Sequence, residues 1–275
     1  MGMTVNTNTA SNNALTQLGN TTHKLTSTFE RISSGLRINR ASDDAAGLGM
    51  AEKLDATGRG LRQAMRNSND GVSVIEVAEG ASNEVANILK RMRELAVQSS
   101  SETLGNTERA YIQTEFTTAM SEISRIAEVT EFNGVKLSNS TLSSINVQVG
   151  ALNTTNDRIN IKLGSLKVSA LGLLATVSLS TSTKAQSAIL TFTNALDKVN
   201  NYRATFGATQ NRIESAMRNL ETTNNNTVAA ESRIRDADFA YETANMAKYQ
   251  IVQQAGVAVL GQANQMNQAA LRLIQ

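Results

Sequence analysis

The chain has 275 residues and a net charge of +2, with 18% charged, 40% hydrophobic and only 4% aromatic residues. Its charges are interspersed without a long basic run, which argues against a charged face for nucleic acid, and the absence of cysteine excludes disulfides and thiolate metal sites. There is also no proline to interrupt long helices. Burial must therefore rely on aliphatic side chains, which suits thin helical layers.

The N-terminal region predicts one amphipathic helix followed by a break. Steps of three and four place one apolar stripe along this helix, formed by Leu15, Leu18, Thr22, Leu25, Phe29, Ile32 and Leu36. Gly35 and Asn39 favour a break. The sequence Ser42-Asp43-Asp44 then predicts the start of the next helix, because such side chains cap free amide groups and carry negative charge.

Two further helices are predicted to fold back on each other. An apolar register runs from Val74 to Leu95, residues 99–106 predict a turn, and a returning helix follows. We expect the core-facing side chains of these helices to be Val85, Ile88, Met92, Phe116 and Ile123. Alternation of apolar and polar residues over 145–149 and 159–163, with an Asn-rich connection, predicts a β-hairpin.

A long helix is predicted from Ala185 to Leu220, where apolar residues again recur in steps of three and four. Its expected core side chains are Phe192, Val199, Phe206, Ile213 and Leu220. The polar run 222–227 predicts a break, and the last helix carries Val252, Val259, Met266 and Leu273 at intervals of seven. Such stripes alone are also typical of an ordinary bundle core. Because short isolated helices are marginal in water, the terminal helices need one another or other copies of the chain.

No residue pattern indicates catalysis. His23 is the single histidine, which excludes a histidine-based triad or a multi-histidine metal site within one chain. Asp43 and Asp44 are better explained as capping groups than as metal ligands, and no glycine-rich phosphate-binding motif is present. We therefore predict no enzyme activity, no cofactor and no metal.

The sequence shows neither a cleaved signal peptide nor a membrane-spanning segment. The N-terminus lacks the positive segment and apolar core of a cleaved signal peptide. The apolar clusters fall short of the roughly 20 residues of a membrane-spanning helix, so no membrane insertion is expected.

Two long motifs resemble those of one family. Residues 33–54 (SSGLRINRASDDAAGLGMAEKL) are similar to the N-terminal signature of bacterial flagellins, and residues 232–273, including QIVQQAG, are similar to their C-terminal signature. Residues 67–80, RELAVQ at 93–98 and FNGV at 132–135 match as well. The chain resembles a short flagellin without variable outer domains. It departs at Met266-Asn267, where the family often has a proline.

The resemblance implies a mainly α fold: an elongated helical bundle or coiled-coil rod with a small β-hairpin insertion, whose N- and C-terminal helices pair. It implies a terminal coiled-coil domain of residues 1–44 and 235–275. A helical rod domain is expected over 45–234, with a β-hairpin region at about 140–175. The implied function is a structural subunit that self-polymerises into the flagellar filament used for motility. A hook–filament junction protein is the alternative.

Further expectations follow from the resemblance alone. The filament's inner tube would be built by Leu15, Leu18, Leu25, Phe29, Ile32, Leu36, Val252, Val259, Met266 and Leu273. Recognition by a host innate immune receptor would fall on Arg91, Leu95 and Glu115. The implied partners are other flagellin subunits in a homopolymer or mixed filament, the flagellar export apparatus, an export chaperone at the C-terminal helix, and the filament cap and hook-junction proteins. The implied location is the extracellular flagellum, reached by the flagellar type III route.

Overall fold

The computed structural model describes residues 7–139, 141–173 and 177–272. In these ranges the helices are α1 (Thr9–Ser34), α2 (Ala45–Ser100), α3 (Asn106–Val129), α4 (Val168–Leu171), α5 (Ser182–Arg235) and α6 (Phe239–Arg272). The strands are β1 (Glu131–Phe132), β2 (Val135–Lys136), β3 (Ser144–Gln148) and β4 (Arg158–Lys162). The prediction of a mainly α fold with a small β insertion is confirmed.

The chain divides into two compact units. One consists of Met1–Gly58 and Asn226–Gln275, and the other of Arg59–Asn225. These divisions fall inside α2 and α5, whereas the domain bounds expected from the sequence, after residues 44 and 234, lie next to helix ends. The expected bounds stay a prediction.

In the first unit, α1 and α6 lie side by side and antiparallel. Asn8 caps the start of α1, because its side chain accepts a hydrogen bond from the backbone N–H of Ser11 at 3.0 Å. Gly35 ends the helix with a left-handed φ of 72° and donates its N–H to the carbonyl of Arg31. Asn8 and Arg31 are near the opposite ends of α1, and they contact Ala263 and Glu242 of α6 respectively, which fixes the antiparallel direction.

Backbone hydrogen bonds join the two connections that flank this helix pair. The N–H of Arg37 donates to the carbonyl of Arg235 at 2.7 Å, and the N–H of Ala237 donates to the carbonyl of Gly35 at 2.9 Å. We call this paired region the clasp. It ties the end of α1 to the start of α6 through main-chain groups, so its geometry does not depend on which side chains flank it.

The connection from α1 to α2 is held by one carboxylate. Oδ2 of Asp43 accepts hydrogen bonds from the backbone N–H groups of Asn39 and Arg40, at 3.1 and 3.0 Å. The bond from Arg40, followed by that from Asn39, lowers the pKa of Asp43, because both stabilise the ionised form. Asp44 accepts a bond from the N–H of Gly47 at 2.9 Å and so caps the first turn of α2.

Two large clusters of buried side chains form most of the core of the second unit. The first joins α2, α3 and α5 around Phe116 and Phe192, whose ring centroids are 5.7 Å apart. The second joins α2 and α5 to the hairpin formed by β3 and β4, and includes Ile161, Phe206 and Ile213. Strand β4 alternates exposed and buried positions, as expected for a hairpin with one face on a helical layer.

The predicted break at residues 222–227 is wrong, because α5 continues through it to Arg235. Asparagine and threonine lower helix propensity by only a few tenths of a kcal/mol each, unlike glycine or proline. The hydroxyl of Thr222 donates to the carbonyl of Arg218 at 3.0 Å, so it is satisfied on its own helix. A polar composition here reflects solvent exposure rather than a turn.

A two-residue hairpin between α3 and the larger hairpin was not predicted. Strands β1 and β2 pair through Phe132 and Val135. Asn133 and Gly134 connect them with φ of 48° and 78°, which are the positive values that a type I′ turn requires and that asparagine and glycine accept. The Asn-Gly pair was the available signal, but the strands were too short to show alternation.

Candidate assembly surface

The covered side of α1 follows a coiled-coil repeat. Its buried and half-buried side chains include a series spaced by four and three residues: Ala14, Leu18, Thr21, Leu25, Thr28 and Ile32. The covered residues of α6 include a series with the same spacing: Glu242, Met246, Tyr249, Gln253, Gly256, Leu260 and Ala263. We call these two sets the seam. It contains several small or polar residues, so each helix buries only a modest apolar area.

Polar contacts cross the seam near both ends and in its middle. Nδ2 of Asn8 donates to the carbonyl of Ala263 at 3.0 Å, and Nη1 of Arg31 lies 3.3 Å from Oε1 of Glu242. Near the centre of the pair, Nε2 of Gln253 donates to the hydroxyl of Thr22 at 3.5 Å. These bonds give the pair directional contacts that its thin apolar packing lacks.

The side chains expected in the inner tube divide between the seam and the outside of the pair. Leu18, Leu25, Ile32 and Leu36 are half-buried. By contrast, four lie on the outside, namely Leu15 at 59%, Phe29 at 63%, Val252 at 40% and Val259 at 58% exposure. The side chain of Met266 and the whole of Leu273 lie outside the described residues. The stripe through Val252 and Val259 is thus not the one that α1 covers.

Helix α6 carries large apolar side chains on more than one face. Besides its covered positions, large apolar side chains point outward on other faces: Phe239 at 63%, Tyr241 at 66%, Ile251 at 67% and Val257 at 59% exposure. The heptad pattern predicted none of these four positions, and only Val257 lies in the apolar run 255–260. The apolar face of a helix is normally buried against a partner, whereas α1 covers a single stripe of α6.

The ten expected rod-core side chains lie in or beside the core of the second unit. Nine are buried, each with 7% exposure or less: Val85, Met92, Phe116, Ile123, Phe192, Val199, Phe206, Ile213 and Leu220. Ile88 is half-buried and packs against the first cluster. Leu220 lies in a small separate cluster with Leu61 and Ala64.

Of the three residues expected to contact a receptor, two meet on the surface and one does not. Nη2 of Arg91 on α2 lies 2.8 Å from Oε1 of Glu115 on α3, and both side chains are about half exposed. Hydrogen bonds with Glu115 and then Glu94 raise the pKa of Arg91. Leu95 is 1% exposed, because it points into the core. It can support this surface from beneath but cannot itself form part of it.

The described residues contain no group of three or more His, Cys, Asp or Glu side chains that could hold a metal ion. Over the same part of the chain, no helix is both long and apolar enough to cross a membrane. The most distinctive feature is therefore the terminal helix pair with its uncovered apolar faces. Together with a separate helical core, it defines a structural subunit built to assemble.

The family models agree with this class. The bacterial flagellin N-terminal helical region matches residues 5–143, and the bacterial flagellin C-terminal helical region matches residues 189–274. The chain belongs to the bacterial flagellin family. It is a structural protein of the flagellar filament and not an enzyme.

Individual relatives give the same result. A flagellin of Halalkalibacterium halodurans is 44% identical over 274 residues, which cover 99% of this chain and 100% of that protein. A flagellar filament core protein of Brachyspira hyodysenteriae is 40% identical over 287 residues, covering 99% of this chain and 100% of its own. The crystal structure of Bacillus cereus flagellin is 29% identical with a TM-score of 0.50, and covers 56% of this chain and 88% of that one. None of these favours the junction-protein alternative.

Proposed function

We propose that the chain polymerises through its terminal helix pair, whose outward apolar side chains become buried against other copies in the wall of the flagellar filament. The observation that carries this is the mismatch on α6, which has large apolar side chains on several faces but is covered on one stripe. Scattered exposed leucines need no explanation, but several large apolar residues on one helix indicate an interaction site.

The seam also suggests when the terminal helices become ordered. The seam intersperses a few larger apolar side chains with threonine, glycine and alanine, so the pair gains only a modest stabilisation from its own burial, and isolated helices are marginal in water. We infer that contacts with other copies supply the rest of the stabilisation, so that the ends order on assembly. An end that is marginal alone is also compatible with threading through an export channel.

The finer parts of the proposal concern location and partners. The filament would lie outside the cell and serve motility, and the subunit would leave by the flagellar type III route without a cleaved signal peptide. Its partners would be other flagellin subunits, in a homopolymer or a mixed filament, the export apparatus, a chaperone at α6, and the filament cap and hook-junction proteins. The uncovered face of α6 is the kind of surface that a chaperone would shield before assembly.

Two outward positions test the proposal. Phe29→Asn and Val257→Asn each place a polar amide on a face that would be buried only between copies. We expect each to slow seeded polymerisation at least tenfold, measured by sedimentation and electron microscopy of the purified full chain. The matched controls are Phe29→Leu and Val257→Ile, which keep the surface apolar and should polymerise nearly as the parent chain does.

A clear result would refute the mechanism. If both asparagine variants form filaments at the parental rate, these faces are not buried between copies. If the asparagine and the conservative variants fail equally, shape rather than desolvation decides assembly. In either case the proposal that apolar burial on α1 and α6 drives polymerisation would be wrong.

A further inference from the structure

An ion pair between α1 and α6 is largely shielded from solvent. Nη1 of Arg31 lies 3.3 Å from Oε1 of Glu242, and the two side chains are 33% and 6% exposed. Nε of Arg31 is buried and makes no hydrogen bond within the part of the chain that the structure describes. A carboxylate this well covered is strongly disfavoured when its cation is removed, so Glu242 ties the pair to registers that place a cation opposite it.

The apolar packing of the seam distinguishes poorly between one heptad and the next. Its two most buried positions on α1 are both threonine, Thr21 and Thr28, seven residues apart. Opposite Leu18 the other helix has Gly256, where an added Cβ would lie 3.3 Å from Cδ1 of the leucine. Threonine against small residues packs similarly after a shift of seven, so apolar packing alone specifies this register weakly.

A competing register is available on α1. Lys24 lies seven residues before Arg31, on nearly the same side of the helix. Sliding α6 by one heptad would bring Glu242 opposite Lys24 and Tyr249 opposite Leu18. It would also break the backbone bridge of the clasp, including the pairing of residues 36 and 236. The native register thus competes with a defined alternative that also neutralises the carboxylate.

We propose that Arg31 and Glu242 are positioning residues that set the register of the terminal helix pair, with the clasp as their main-chain support. A single buried polar contact is a well-known means of fixing register in coiled coils. The inference rests on the proposed function, because register decides which outward faces of α1 and α6 lie next to each other and are offered to other copies.

Engineered cysteines can report the register, because the chain has no cysteine of its own. The pair Leu18→Cys with Gly256→Cys reports the native register, and Leu18→Cys with Tyr249→Cys reports the shifted one. Each reporter chain is seeded into filaments with an excess of the parent chain and then oxidised. Mass spectrometry identifies disulfides within one chain, and a gel separates them from links between chains.

In the parent background we expect the 18–256 disulfide and little of the 18–249 disulfide. Arg31→Gln should raise the 18–249 yield at least fivefold, since Lys24 becomes the remaining cation for Glu242. Adding Lys24→Gln to that variant should remove the increase. The exchanged pair Arg31→Glu with Glu242→Arg should restore the 18–256 yield, which a role in packing alone would not produce.

Two results would overturn the inference. One is an unchanged 18–256 yield in Arg31→Gln filaments without any 18–249 product, which would leave the proposed function intact. The other concerns the case in which Arg31→Gln does not enter filaments at all. The exchanged pair, Arg31→Glu with Glu242→Arg, should then restore incorporation, and its failure to do so would overturn the register role. Failure of the parent chain itself to form filaments on seeding would instead count against the proposed function.

Discussion

Replacing Phe116 by alanine perturbs the contact between α3 and α5 in the core of the second unit. Phe116 and Phe192 are both 0% exposed, and their rings lie 5.7 Å apart at an interplanar angle of 50°. Truncating either ring should leave a cavity among three helices, because the remaining ring cannot fill both places. The expected loss is about 3–5 kcal/mol of unfolding free energy for each single substitution.

The pair should also show coupling. A tilted aromatic contact contributes about 0.5–1.5 kcal/mol beyond the burial of its area. The double alanine variant should therefore lose less than the sum of the two single losses, by about that amount, since the contact can be lost only once. The double-mutant cycle separates the ring–ring contact from the general cost of cavities.

Urea unfolding of the unpolymerised full chain, followed by helical circular dichroism, measures these differences. Leu190→Ala is the matched control, because Leu190 also lies on α5 but is 65% exposed, and its loss should stay within about 0.5 kcal/mol. Single losses below about 1 kcal/mol at both phenylalanines would refute the packing described for this core. Strict additivity would refute the contribution of the ring contact.

Three further predictions concern other parts of the chain. Gly207→Ala should raise the unfolding free energy by about 0.5–1 kcal/mol, since a Cβ there meets nothing within 4 Å. Gly134→Ala, at a φ of 78°, should instead lower the unfolding free energy by about 1 kcal/mol or more, and equal effects of the two substitutions would contradict the turn geometry. The pKa of Asp43 is lowered from 3.8, so the ionised carboxylate should stabilise the folded chain relative to Asp43→Asn above pH 3.8, and this stabilisation should disappear as the pH falls through the folded pKa. A stability difference between the two chains that grows on acidification would contradict this sign. Arg91→Ala should reduce activation of a host innate immune receptor by the unpolymerised chain at least tenfold. The control Arg125→Ala, which removes another exposed ion-paired arginine, should leave activation unchanged, and a parent chain inactive at micromolar dose would refute the receptor hypothesis.

The core of the second unit was accessible from sequence because its helices are amphipathic in a simple way. In α5 most of the apolar residues that recur in steps of three and four are buried, including Phe192, Phe206 and Ile213. One side of such a helix is clearly apolar and the other polar, so periodicity alone selects the buried face. The same signal was silent for Leu171, Leu173 and Leu179, which are buried in a segment without regular periodicity.

The errors have local physical causes. The polar composition of residues 222–227 predicts a break, but polarity reports exposure, whereas helix ends depend on backbone conformation. Gly35 illustrates the difference, since its positive φ ends α1. Helix α5 has no residue with a positive φ at 222–227. Leu95 could not be separated from its exposed neighbours by a motif match, although its place in the apolar register pointed to the core.

The terminal helices mark the limit of what one chain's sequence can specify. On α6 several stripes are apolar, including those through Val252 and through Leu260, and periodicity alone cannot say which one a given partner covers. Within the chain, α1 takes the stripe through Leu260 and leaves Val252 and Val259 outside. A helix needs several apolar stripes only if it has several partners. The several apolar stripes that prevent periodicity from selecting one seam are therefore the same property that suits α6 to a polymer. In that polymer α1 would cover one stripe, and other copies of the chain would cover the rest.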